Sequence, residues 1–129
     1  MIRVGSKLKR LSDISCAYRE GDDYFIGHDH SMDPLMIPYY EGLEQKIFRR
    51  MCSNGSVSSI SAEIEIGPNN ELRIGTFIYY KRDDIYEINV IPGDGDFVDV
   101  ICRIEDAEYK VSISGSSETI FGQLESIFQ

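Results

Sequence analysis

From residue 57 to residue 91, apolar and polar side chains alternate through three successive runs with the two-residue period of a β-strand. In residues 57–66, Ile60, Ala62, Ile64 and Ile66 alternate with Ser59, Ser61, Glu63 and Glu65. This predicts one half-buried strand with a charged outer face. Gly67-Pro68-Asn69-Asn70 supplies a turn, because Gly and Asn tolerate positive φ and Pro presets the bend. The second run places Leu72, Ile74, Thr76, Ile78 and Tyr80 on one face and Arg73, Gly75, Phe77 and Tyr79 on the other. Aromatic residues on both faces predict a central strand. Lys81-Arg82-Asp83-Asp84 forms a polar tip, and Tyr86, Ile88 and Val90 return against Glu87 and Asn89 until Pro92-Gly93 ends the run. Connections this short cannot cross over into parallel pairs, so an antiparallel meander is expected.

The flanking segments add two helices and more strands. Ile14, Cys16 and Tyr18 alternate, a turn follows at residues 19–22, and Tyr24, Phe25 and Ile26 return, which predicts a small hairpin. Ile2 and Val4 suit a short edge strand, followed by a solvated basic stretch at Lys7, Lys9 and Arg10. Residues 34–51 are a helix candidate whose regular part is expected from Pro38, since proline is tolerated only in the first turn. Tyr39, Tyr40, Leu43, Ile47, Phe48 and Met51 then form its apolar stripe, with acids early and bases late along the opposite face. Val98, Val100, Cys102 and Ile104, then Tyr109, Val111 and Ile113, predict two more strands. Ser116 or Ser117 is the N-cap of a terminal amphipathic helix carrying Ile120, Phe121, Leu124, Ile127 and Phe128. The expected class is α+β: one antiparallel sheet of about five strands in a meander, an N-terminal hairpin, and an internal and a C-terminal helix packed on the sheet.

The 129 residues are read as a single domain, 1–129, large enough to bury a core without metal or disulfide staples. No stretch approaches the roughly 18 consecutive apolar residues of a membrane span, and the basic N-terminus has no apolar run or cleavage site after it. A cytoplasmic location is the expectation. Cys16, Cys52 and Cys102 are odd in number and widely spaced, which suits buried reduced thiols better than zinc or redox work. Charge is uneven: residues 1–55 hold 8 Lys+Arg against 8 Asp+Glu, whereas residues 56–129 hold 5 against 14, so the whole net charge of −9 lies in the second part. That balance opposes direct nucleic-acid binding, which requires cations against phosphate, and suits a basic protein partner met by electrostatic steering.

Recognised chemical signatures are few. His28, His30 and Asp33 are metal-capable and faintly resemble a His-x-His-x-Asp-His hydrolase motif, but Asp33 comes one position late and Pro34 stands where another His would follow. A polar loop explains the segment without metal, and no cofactor is expected. An enzyme or ligand-binding domain using the His28–Asp33 loop beside Tyr39 or Tyr40 is the alternative reading. Asp94, Asp96 and Asp99 lack EF-hand spacing. There is no Gly-x-Gly-x-x-Gly, no phosphate-binding Gly-Lys loop and no Gly-x-Ser-x-Gly elbow. Cys16 or Cys52 with His28 or His30 could in principle make a nucleophile and base, since such pairs meet in space and not in sequence.

Three stretches carry a likeness to a known family: Ile37-Pro38-Tyr39-Tyr40 with Leu43 and Ile47; Ser61-Ala62 and Thr76-Phe77-Ile78-Tyr79-Tyr80 leading to Ile85-Tyr86 and Asn89; and Leu124-Glu125-Ser126-Ile127-Phe128. Across residues 37–91 and the last helix, the chain resembles the small immunity proteins of bacterial contact-dependent growth inhibition systems. Several of those proteins carry a Trp in the helix and the second strand, where this chain has none. The resemblance implies a non-enzymatic binding protein that covers the active site of a cognate toxin, commonly a nuclease with a basic cleft. The surface expected to meet it comprises Glu63, Glu65, Asp83, Asp84, Glu87, Asp94, Asp96 and Asp99. The protein is expected to be a monomer or weak dimer without membrane contact; a structural subunit that oligomerises through an exposed edge or aromatic strand face is the remaining alternative.

Overall fold

A computed structural model describes residues 2–4, 6–9, 13–28, 33–53 and 55–129. Among these the chain order is β1 (Ile2–Val4), β2 (Lys7–Lys9), β3 (Cys16–Glu20), β4 (Asp23–Gly27), β5 (Leu35–Pro38), α1 (Leu43–Met51), β6 (Ser58–Ser59), β7 (Ile64–Ile66), β8 (Leu72–Ile74), β9 (Phe77–Tyr79), a 3-10 turn (Arg82–Asp84), β10 (Glu87–Pro92), β11 (Phe97–Ile104), β12 (Ala107–Ser114) and α2 (Ser117–Ile127). Every strand pairing is antiparallel, and the class is α+β as the alternation and helical stripes predict. The strands divide differently from a single five-stranded meander. A seven-stranded sheet runs β5-β4-β3-β9-β8-β7-β6, a three-stranded sheet runs β10-β11-β12, and β1 and β2 pair with each other.

Two of the expected long strands are hairpins. The 57–66 run folds back at Ile60–Glu63, so Ser58 faces Ile66 and Ser59 faces Glu65. The Ile60 amide donates to the Ile64 carbonyl at 2.9 Å, and the Ser61 hydroxyl accepts from the Glu63 amide at 3.2 Å. The alternation therefore breaks: Ile60 is exposed and Glu65 is buried. The 72–80 run reverses at Gly75-Thr76, pairing Ile74 with Phe77 and Leu72 with Tyr79. Gly75 holds φ at +56°, and its Cα lies so close to the three-stranded sheet that a Cβ would stand 2.6 Å from the Ile113 side chain. A two-residue turn changes which residues share a face, so Leu72, Ile74, Phe77 and Tyr79 point one way and Arg73 and Ile78 the other.

Each face of the larger sheet has its own core. On one side, Ile64, Leu72, Ile74 and Phe77 pack against Val98, Val100, Cys102, Ile104, Val111 and Ile113 of the smaller sheet and Ile120 and Leu124 of α2. On the other, Ala17, Tyr24, Ile26, Ile37 and Ile78 receive Leu43, Ile47 and Phe48 of α1. Each fully buried Ile or Leu in these cores contributes roughly 1.5–3 kcal/mol. The N-terminal hairpin is present as expected, and β5 extends it. Residues 35–38 thus form an edge strand where the first turn of a helix is expected, with Pro38 opposite Asp23 at the sheet margin, where its missing N–H costs nothing. The helix begins after Gly42, whose φ of +87° turns the chain into it.

Candidate functional site

The connection out of β9 sets up the site. After the 3-10 turn, the Ile85 side chain is buried in the inter-sheet core while Tyr86 turns outward and its hydroxyl donates to the Glu105 carbonyl at 3.2 Å. β10 then forms the outer strand of the three-stranded sheet. The helix α2 lies along it: the Ser116 hydroxyl accepts the Thr119 amide at 3.3 Å, which caps the first turn, and Ile120 and Leu124 enter the core at a spacing of four. The same periodicity leaves Phe121 and Glu125 on the outer side, with Phe121 55% exposed.

Between β10 and α2 runs a groove of about 470 Å³. Ile88, Val90, Leu124 and Phe128 form its apolar floor and wall; Tyr86 and Phe121 flank it; Asp83, Glu87 and Glu125 supply three carboxylates, and among the described residues no Lys or Arg lines it. Around the edge of β10, the solvent face of the sheet continues the surface as a row of charges. Glu87 pairs with Arg103 at 2.9 Å and Arg103 with Glu108 at 3.0 Å, while Asp99 accepts from Ser112 at 2.6 Å and lies 3.6 Å from Lys110. At the hairpin end, Asp94 and Asp96 are exposed on a turn built around Gly95, flanked by the exposed apolar side chains of Ile91 and Phe97.

The expected partner-binding acids therefore separate into sets. Asp83 and Glu87 line the groove, with Asp84 exposed beside them; Asp94 and Asp96 stand at the hairpin tip and Asp99 on the sheet face. Glu63 is half-buried, in the turn that faces Gly75. Glu65 is a correction. It is 6% exposed and bound to Arg73 at 2.8 Å, with Ser59 donating to it at 3.2 Å, so it belongs to a buried polar cluster beneath α1 and not to a partner surface. Sequence reading missed Glu125, Tyr86 and Phe121 as site members. The signal was present in the i, i+4 relation of Phe121 to Glu125 opposite the apolar stripe, but the partner strand was not known.

The other expected centres gain little from the structure. His28 and Asp33 are among the described residues and His30 lies outside them; among the described residues no cluster of three His, Cys, Asp or Glu side chains could hold a metal ion. Burial pushes the Cys16 thiol up, with Ser15, Gly27 and Tyr109 as its hydrogen-bonding neighbours; burial, then the charges of Glu71 and Glu65, push Cys52 up to about 11. Both shifts run opposite to what a nucleophilic thiol needs. Of the aromatic strand face, Phe77 is buried and Tyr79 half-buried: Phe77 stacks on Tyr109 with ring centroids 5.1 Å apart, and Tyr109 meets Tyr18 at 5.1 Å. Among the described residues, no helix is long and apolar enough to cross a membrane. Compared with protein-family models, with curated proteins and with solved structures, the chain matches none.

Proposed function

We propose that the protein is a binding protein that neutralises a cognate bacterial toxin, of the nuclease kind with a basic cleft, inside the cell that makes it. The observation that carries this reading is the acidic surface of the second part of the chain. Asp83, Glu87 and Glu125 line a groove with no Lys or Arg among its described lining residues, flanked by exposed Tyr86 and Phe121; Glu87 also pairs with Arg103, and Asp94 and Asp96 stand exposed at the hairpin tip. Exposed aromatic residues beside carboxylates combine contact area with long-range attraction, the first setting dissociation and the second encounter. The sequence resemblance to contact-dependent growth inhibition immunity proteins supports the toxin as partner, and the −9 charge supports its basic character.

The test is co-expression with candidate toxins encoded beside the gene, followed by association kinetics of the complex that protects growth. Reversing Asp83, Glu87, Asp94 and Asp96 to Lys should slow association by about tenfold or more, and added salt should slow the wild-type reaction. Protection that survives the reversals, with an association rate indifferent to salt, would remove this surface from the function.

A further inference from the structure

The groove between β10 and α2 differs from the rest of the acidic surface in having an apolar interior. On the sheet face the acids meet cations: Asp99 lies near Lys110, and Glu87, which also lines the groove, pairs with Arg103. In the groove, Val90, Leu124 and Phe128 share the lining with Asp83 and Glu125, with no Lys or Arg among the described lining residues. Its volume of about 470 Å³ is enough to take a few side chains. Tyr86 at 65% and Phe121 at 55% exposed flank it as large aromatic surfaces that gain most from being covered.

We propose that this groove is a socket for one segment of a partner protein, in which a few apolar side chains are flanked on both sides by Lys or Arg. The apolar residues enter between β10 and α2 against Phe121, and the flanking cations reach Asp83 and Glu125. Charge complementarity selects this occupant: an acidic or neutral apolar segment would place its flanks against the Asp83 and Glu125 carboxylates, and a purely basic one would leave the apolar interior facing water. The inference rests on the acidic surface being a partner surface, but not on the partner being a toxin.

The probe is a fluorescein-labelled peptide with a Leu-Phe core flanked on each side by lysines, titrated into the full chain by anisotropy. Two control peptides carry Ser in place of the core or Glu in place of the lysines. Saturable, salt-sensitive binding of the first peptide alone is expected, with affinity falling at least about tenfold in Phe121→Ser and roughly three- to tenfold in Glu125→Lys. Both positions are exposed, and thermal melts report whether the variants fold. Amide chemical-shift changes in the unaltered protein should centre on residues 85–90 and 121–128 and spare residues 93–97. Equal binding of the Ser-core peptide would reduce the groove to bulk charge attraction, equal binding of the Glu-flanked peptide to a bare apolar patch; shifts centred elsewhere, or no binding, would equally overturn the socket. Specific peptide binding without toxin neutralisation would sink the toxin reading and leave the socket standing. Neutralisation lost on reversing Asp94 and Asp96, with no binding of the Leu-Phe peptide, would do the opposite.

Discussion

Replacing Arg73 by Met should be among the most damaging single changes in this protein. Its guanidinium is 3% exposed, and each nitrogen has a partner: Nε donates to Glu65 Oε1 at 2.8 Å, Nη1 to the Gly75 carbonyl at 3.0 Å, and Nη2 to the Ala62 carbonyl at 2.9 Å. One side chain thus ties together the two tight turns that break the expected long strands. Removing it leaves the buried Glu65 carboxylate with Arg49, at 3.7 Å, as its cationic neighbour among the described residues. Breaking a buried pair from one side costs roughly 3–5 kcal/mol, a large share of the ~5–15 kcal/mol that holds a typical domain. At a few degrees per kcal/mol this lowers Tm by on the order of 10–20 °C. Glu65→Gln keeps an acceptor for Nε and should cost less, about 1–3 kcal/mol. The double variant Arg73→Met, Glu65→Leu retains neither charge, so its loss should shrink to about 2 kcal/mol for the two turn carbonyls. Urea unfolding of wild type, Arg73→Met, Glu65→Leu and the double, followed by far-ultraviolet circular dichroism, gives the coupling directly. If Arg73→Met cost less than about 1 kcal/mol, or the Arg73→Met and Glu65→Leu losses simply added in the double, the clamp would not be what orders these turns.

Gly75→Ala should destabilise by about 1–3 kcal/mol in the same urea assay, since it places a Cβ 2.6 Å from the Ile113 side chain on a backbone with φ of +56°. Ser116→Ala should cost about 1 kcal/mol and fray the start of α2, read as faster amide exchange over residues 117–120. Burial pushes the Cys102 thiol from 9.0 up to about 12. Between those values the unfolded chain releases a proton that the folded chain retains, so stability falls as pH rises from about 9 toward 12. The decline is at most about 1.4 kcal/mol per pH unit from this group, and Cys102→Ala should remove that part of it.

What could be read in advance followed from how each residue meets its neighbours. β11 and β12 were legible because both stand in an uninterrupted sheet with one face inward: Val98, Val100, Cys102 and Ile104 point into the core, as do Val111 and Ile113. The α2 stripe was legible for the same reason, with a cap residue marking its start. The region 57–80 misled because tight hairpins preserve a period of two on either side of the turn; only Gly75 marked the reversal within 72–80, and a glycine in a strand pattern marks a bulge or a close backbone approach just as readily. Glu65 was misplaced because a carboxylate on an alternating strand looks solvent-facing until its buried cation is known, and Arg73 lies eight residues away on the adjacent strand. The candidate groove was half legible: Asp83 and Glu87 could be named from charge alone, whereas Glu125 and Phe121 joined them only once α2 was seen to lie along β10.

The seam of the seven-stranded sheet bears on how the chain is made. β3 pairs with β9 at Cys16 opposite Tyr79 and Ala17 opposite Ile78, and the Tyr80 amide donates to the Ser15 carbonyl at 3.1 Å just beyond. The strands on the N-terminal side of that seam are complete once Pro38 has been synthesised, but Tyr79 follows 41 positions later. At about 5–20 residues per second, the nascent three-stranded unit waits roughly 2–8 s with the β3 edge unpaired and Ala17 and Ile26 uncovered by α1 or β9 for part of that time. An open strand edge in that interval is a template for another nascent chain. Production yield, more than the stability of the finished protein, is therefore where slow translation between residues 38 and 79 would tell.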